Sequence, residues 1–285
     1  MSNAAVDQAR ARKVARALRL NILSLGAGVQ STTMALMAAA GLILPMPDCA
    51  IFADTQAEPA HVYRHLEWLR TVLPFPVYDV TAGNLEGLVA SERPIGKFLR
   101  VDIPAFVRND DGRVAIINRS CTRDFKIVPI RRRVRELLGI VGKRSPTSPI
   151  CSQWIGISAD EAQRMKPSRE AWWESRWPLI ALGMSRGDCL RWIKENAYPR
   201  PQKSACVFCP FHSDAEWASL APEEFARAVA VDRRLRDRPP GEYRTKGQLY
   251  LHRSCVPLEV VDLSPGVEDA RPSLFGNECE GMCGV

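Results

Sequence analysis

LNILSLGAGVQSTTMALMAAAG, residues 20–41, decides how the chain folds. An apolar run, Leu20 to Leu25, enters a glycine turn and then an alanine-rich stretch closed by Gly41, which reads as a strand, a turn and a helix. The same unit recurs. CAIFADT (49–55) runs into PAHVYRHLEWLRTVL, with apolar residues at helical spacing; PVYDVTA (76–82) is a third strand, and QWIGIS (153–158) a further buried one that ends in ADEAQR. Strands alternating with helices predict a parallel sheet covered on both faces. The fold class expected is α/β: a parallel sheet flanked by helices.

Around this core the chain divides into a basic, helix-prone segment at 1–19, the α/β domain at 20–200 and a cysteine-containing C-terminal region at 201–285. Within the domain, KFLRVDIPAFVRNDDGRVAIIN (97–118) places two extended runs around an Asn-Asp-Asp-Gly turn, a hairpin insertion lying outside the main sheet. Helices are expected through KIVPIRRRVRELLG, through SRGDCLRWIKENAYP and over about 222–236, with a short strand near LYLHR.

The chain has 285 residues, 46% of them hydrophobic and 25% charged, enough for a sizeable core. The longest apolar candidate for a membrane span, TTMALMAAAGLILPMP, is interrupted by Gly41 and Pro45, and the N-terminus does not resemble a secretory signal. No membrane partner is expected, and the compartment expected is the cytoplasm. A net charge of +7 favours polyanionic partners. The basic clusters Arg10 to Arg19 and RRRVR (131–135) read equally as solvated helix faces. Nine cysteines, an odd number in a long chain without secretion marks, point away from a disulfide framework and toward metal or redox chemistry.

In SLGAGVQST, Gly26 and Gly28 stand between strand and helix with Ser24, Ser31 and Thr32 around them. Glycine lets a backbone approach an anion, and the amides at a helix start can hold phosphate. The stretch matches neither GxGxxG nor the Walker loop. In an open parallel sheet, ligands lie beyond the carboxyl ends of the strands. There Asp54, Thr55 and Glu58 could meet a ribose, a base or a magnesium ion, and Asp160, Glu161 and Arg164 could meet phosphates or a second substrate. Asp54 also reads as a capping residue that needs no ligand.

These stretches resemble the adenine-nucleotide alpha-hydrolase-like (PP-loop) superfamily, in the branch of phosphoadenylyl-sulfate and adenylyl-sulfate reductases with their phage and bacterial relatives. SLGAGVQST (24–32) is similar to the pyrophosphate-binding loop and ADTQAE (53–58) to the second-strand element. WPLIALGMSRGDCLRWIKENAYP is similar to the segment that precedes the reductases' cysteine pair. The resemblance implies a Rossmann-like five-stranded parallel sheet binding ATP or a sulfated adenylate, with Ser24, Gly26, Gly28, Gln30, Ser31, Thr32, Asp54 and Thr55 at the nucleotide. It implies that Cys121, in RSCTRDFKIVPI, stands where the iron–sulfur members place their first cluster cysteines. Two departures bear on chemistry. Thr122 follows Cys121 where those members carry a second cysteine, and Gln30 stands where ATP-cleaving members carry aspartate. The tail NECEGMCGV is similar to the reductases' terminal glutamate-cysteine-glycine element, which implies Cys279 as a nucleophile.

SACVFCPFH (204–212) supplies Cys206 and Cys209. With Cys121 they provide three thiolates for an iron–sulfur cluster, and Cys283 or Cys279 completes four, or one iron stays open. Zinc on Cys121, Cys206, Cys209 and His212 is the rival, a dithiol redox pair another. Cys49, Cys151 and Cys189 read as buried packing residues, and Trp172, Trp173 and Trp177 as core or as stacking platforms. The function expected is an adenine-nucleotide-binding iron–sulfur (4Fe-4S) enzyme performing ATP-dependent activation or sulfur transfer on a nucleic acid or small substrate, with Asp160 and Arg164 at the phosphate or acceptor. The alternatives are a sulfonucleotide reductase using Cys279, and a zinc-stabilised nucleic-acid-binding module. The partners expected are an adenine nucleotide, nucleic acid and a second copy of the chain in a homodimer.

Overall fold

The computed structural model describes residues 19–90, 94–95, 98–99, 101–109, 111–117, 120–238, 243 and 247–264. The basic segment up to residue 18 and the tail with Cys279 and Cys283 lie outside the described residues.

The described chain begins with β1 (Leu20–Ser24), α1 (Val29–Ala39), β2 (Cys49–Asp54), α2 (Ala60–Val72), β3 (Val77–Thr81) and α3 (Leu85–Ala90). Two short antiparallel pairings follow, β4 (Pro94–Ile95) with β5 (Phe98–Leu99) and β6 (Phe106–Arg108) with β7 (Val114–Ile116). A π-helical stretch, Thr122–Ile127, runs directly into α4 (Val128–Leu137). Then come β8 (Cys151–Trp154), β9 (Trp173–Arg176), α5 (Pro178–Ala181), α6 (Arg186–Glu195), α7 (Asp214–Ala218), α8 (Pro222–Arg236) and β10 (Leu249–Tyr250).

The main sheet has the order β3-β2-β1-β8-β9 with every pairing parallel. It is the expected five-stranded Rossmann-like sheet. The order reverses at β1, which places the β1–α1 loop at the switch point where open α/β sheets bind ligands. Helix α1 is buried from Val29 to Ala38, wedged between the sheet and α6, and its small residues suit that position. Val62, Leu66 and Leu69 give α2 one apolar stripe. On the other face, Ile130 and Val134 of α4 pack with Trp172 and Trp173. These two tryptophans are core residues, as are Cys49, Cys151 and Cys189.

QWIGIS continues as a strand only to Trp154. Beyond it the chain leaves the sheet and passes the start of α1, where Gly156 comes against Ser31 and Gln30. The hairpin lies outside the main sheet as expected, but it is joined there by β10, forming a three-stranded sheet. Leu249, Val207, Phe208 and Trp217 of the C-terminal region share one core with Val107 and Ile103. Insertion and C-terminal region are therefore one packed unit against the carboxyl end of the sheet.

Candidate functional site

The β1–α1 loop turns through Ala27, whose φ of 57° is a left-handed conformation that costs a residue with a Cβ. Ser31 closes the turn from inside: its Oγ accepts the Gly26 amide at 3.2 Å and donates to the Gly28 carbonyl at 3.4 Å. No side chain caps α1, and its first turn carries no acid, so the positive end of its dipole is left for a ligand. Ser24, buried, accepts a hydrogen bond from Gln153. Thr32 meets the His65 ring at 3.1 Å, and burial with neighbouring His61 pushes His65 down to about 4, so that ring is neutral. Gln30 is fully buried. Its Nε2 donates to Glu161 Oε2 at 3.2 Å and to Ser158 at 3.4 Å, and its Oε1 has no partner.

A Cβ at Gly156 would stand 3.0 Å from the Ser31 amide nitrogen and 3.3 Å from Gln30 Cβ. The neighbour that would have to give is the loop itself. Gly156→Ala is therefore expected to lower ATP affinity about tenfold, or about 1.4 kcal/mol. Equilibrium dialysis checks this; unchanged affinity would mean that the loop yields freely or takes no phosphate.

At the end of β2, one oxygen of Asp54 accepts from the Gln56 amide at 2.7 Å and from the Tyr63 hydroxyl at 2.8 Å, holding Gln56 at a φ of 58°. Asp54 thus builds its own turn. Burial and this bond push the Tyr63 hydroxyl well above the usual phenol range. The turn delivers Thr55 and Glu58, both buried, toward the C-terminal region, where the Val207 amide donates to the Ala57 carbonyl at 2.8 Å. Thr55 Oγ1 lies 3.2 Å from Cys206 Sγ. Glu58 is shared: its Oε1 is 3.9 Å from Cys206 Sγ and 3.6 Å from Lys126 Nζ, and its Oε2 accepts from Ser204.

Cys206 and Cys209 bracket a tight turn closed by Cys209 N to Cys206 O at 2.8 Å. Cys121 arrives from the opposite side, at the head of the π-helical stretch, with its amide bonded to buried Asp102. Thr55, Cys121, Lys126, Cys206, Phe208 and Cys209 line one cavity. Lys126 also lines a second, with Ser24, Gly26, Ala53, Glu58 and Ser204, at the ends of β1 and β2. A single buried lysine thus stands between the loop and the three thiols. Burial, and then the Glu58 charge, push the Cys206 thiol well above the usual range, so it stays protonated until a cation arrives.

Among the described residues, no three His, Cys, Asp or Glu side chains come close enough to share one metal ion. His212 Nε2 is engaged with the Cys206 carbonyl at 3.0 Å, away from the tetrahedral set that zinc would ask for. Cys121, Cys206 and Cys209 line one cavity without forming such a group. Cys279 and Cys283 lie outside the described residues.

Asp160 and Arg164 sit in the short 3-10 turn Ala159–Arg164. Asp160 accepts the Arg186 amide at 3.0 Å, fastening the start of α6, and Arg164 pairs with Glu161, the partner of Gln30. They brace the loop from behind. Of RRRVR, Arg131 pairs with Glu170 at 2.6 Å, Arg132 and Arg133 with Glu136, and Arg135 with the Ile140 and Lys143 carbonyls. Arg131 lines a groove of about 280 Å³ with Arg123, Lys166 and Arg169, beside β8 and β9.

In the sequence Lys126 looks like one more basic residue of a basic helix. The available signal was its place among Thr122, Phe125, Pro129 and Ile130, all of which face inward. Gly156, within an apolar strand pattern, carries no mark of its approach to the loop.

The fold and site define an α/β protein with a five-stranded parallel sheet, flanked by helices, in which Lys126 lines both the cavity at the switch-point loop and the cavity lined by three cysteines. No protein-family model and no curated protein matches the chain. Among solved structures it is similar to phosphoadenylyl-sulfate (PAPS) reductase from Candida auris, solved as a phosphate complex, at 12% identity and a TM-score of 0.39 over 67% of this chain and 79% of that one. No described helix is long and apolar enough to cross a membrane.

Proposed function

We propose that the chain is an adenine-nucleotide-binding enzyme of sulfur chemistry, with an iron–sulfur cluster held by Cys121, Cys206 and Cys209. The observation that carries this reading is Lys126, which lines both the thiol cavity and the crevice at the β1–α1 loop. The loop amides and the positive end of α1 bind the nucleotide phosphates. Lys126, balanced by Glu58, offers its ammonium to an anion on either side, so that a phosphate or sulfate entering the crevice takes over part of the pairing that Glu58 now holds. Thr55 and Phe208 shape the thiol side and limit water. When bound, the cluster supplies a sulfur-binding Lewis-acid or electron-transfer centre.

The substrate is ATP or a sulfated adenylate. Gln30, tied to Glu161, stands in the first turn of α1 where the ATP-cleaving members of the resembled superfamily carry aspartate, and this favours the sulfated adenylate. In that reading Cys279 is the nucleophile.

Anaerobic purification with iron, sulfide and zinc analysis tests the proposal, together with ATP and adenylyl sulfate binding. About four iron and four labile sulfide per chain are expected. One zinc per chain without labile sulfide would sink the cluster and favour a zinc-stabilised module. Failure of both nucleotides to bind would sink the nucleotide reading.

A further inference from the structure

Away from the crevice and the thiols, the outer helices carry a row of rings. His65 and Trp68 of α2, Tyr198 just past the end of α6, and Trp192 within α6 follow one another with ring centroids 5.2, 6.1 and 5.8 Å apart. Trp68, Trp192 and Tyr198 pack against the same core as α1, yet all four residues stay partly exposed. The end of α6 builds this row. The Ala197 amide donates to the Lys194 carbonyl at 3.1 Å and the Tyr198 amide to the Ile193 carbonyl at 3.0 Å, the bond pair of a helix end closed by a left-handed residue. Ala197 takes that conformation, with a φ of 56°, at a cost that glycine would avoid. The turn brings Tyr198 back between Trp68 and Trp192.

Tyr198 also lines a groove of about 480 Å³, together with Leu190, Arg191, Lys194 and Arg200 and with no carboxylate. Arg191 pairs with Asp188 at 2.8 Å, whereas Lys194 and Arg200, both exposed, join no ion pair among the described residues. The end of α6 does not call on them. The carbonyls of Trp192, Ile193 and Lys194 already accept from the amides of Asn196, Tyr198 and Ala197, and the Asn196 side chain donates to Trp192 as well. These cations are left for an outside anion.

We infer that this surface binds a single strand of nucleic acid, with its phosphates along Arg191, Lys194 and Arg200 and its bases on the row from His65 to Trp192. A basic groove that tracks the backbone, with aromatic side chains on which bases stack, is how proteins hold such strands without reading their sequence. The rings decide between polyanions. An acidic peptide would use the cations and leave the rings idle, and a duplex keeps its base faces inside its own stack. The inference does not rest on the nucleotide reading, because the groove and the rings can hold a strand whether or not the β1–α1 loop holds a nucleotide.

Fluorescence anisotropy of a labelled oligothymidylate of about eight nucleotides, titrated with the full-length protein over a series of salt concentrations, tests this. Saturable binding is expected, with log K falling against log salt at a slope of about −2 or steeper, from about −0.7 for each phosphate met by a cation. Lys194→Gln combined with Arg200→Gln is expected to flatten that slope by about 1.4. Tyr198→Leu is expected to weaken binding about tenfold at every salt concentration and to leave the slope alone. A hairpin duplex and a polyglutamate of matching length should each bind at least about tenfold more weakly than the strand. Absence of binding, a slope unmoved by the double substitution, a folded Tyr198→Leu variant that binds like the unmodified protein, or duplex or polyglutamate binding as tightly as the strand would each overturn the inference. The double substitution, at two exposed positions, decides the matter even where Tyr198→Leu does not fold.

Discussion

Cys206→Ser is expected to yield a chain that purifies without iron or labile sulfide and turns over at least about 100-fold more slowly, while still binding adenine nucleotide. Cys206 is the thiol on which the site converges. Its Sγ lies 3.2 Å from Thr55 Oγ1 and 3.9 Å from Glu58 Oε1, and its carbonyl is held by both Cys209 and His212. Serine keeps the turn, because the turn is closed by backbone groups, but removes the soft thiolate that iron requires. Losing a ligand itself should exceed the 10–100-fold that loss of an outer partner costs, roughly. Nucleotide binding should survive because the loop at Gly26–Thr32 is assembled by Ser31 and braced from the Gln30–Glu161 side. Iron and sulfide at the unmodified level in Cys206→Ser would remove this cysteine from the ligand set.

Lys126→Met is expected to destabilise the protein by about 3–5 kcal/mol, the cost of leaving one member of a buried ion pair behind. The side chains of Lys126 and Glu58 are 7% and 1% exposed, and their charged atoms stand 3.6 Å apart. Methionine fills much the same volume, so the penalty comes from the stranded Glu58 carboxylate and not from a cavity. For a chain this size the melting temperature should fall by about 10 °C. The Lys126→Met, Glu58→Gln double variant separates charge from packing: it should recover most of the lost stability, yet neither bind substrate normally nor turn over. A single variant as stable as the unmodified protein, or a double variant no better than the single, would show that the pair is not what holds these elements together.

The two variants test different depths of legibility. Cys206 and Cys209 announce themselves because two thiols three positions apart can be placed on one turn from the sequence alone. Cys121, 85 residues earlier, is linked to them only by the fold. Its partner in that link, Lys126, is marked only by the inward-facing residues around it, and nothing local tells whether it meets water or a buried glutamate. Asp160 and Arg164 illustrate the converse. Their acid and base side by side at a strand's carboxyl end suggest contact with phosphate, and in the fold Asp160 accepts the Arg186 amide while Arg164 pairs with Glu161. Asp54 likewise spends one oxygen on its own turn, as the capping reading allowed.

What the sequence determined by itself was the parallel sheet and which turns leave its carboxyl end. Apolar strands alternating with helices can bury both faces in few other ways, and the glycine turn after β1 follows from short-range geometry. What only the tertiary structure decided was which groups meet across that end: the joining of the hairpin to β10, the passage of Gly156 against the loop, and the pairing of Lys126 with Glu58 between loop and thiols. The reason is physical. Strand and turn formation depend on neighbours a few residues away, whereas a buried charge reveals its role only through the partner that long-range packing places beside it.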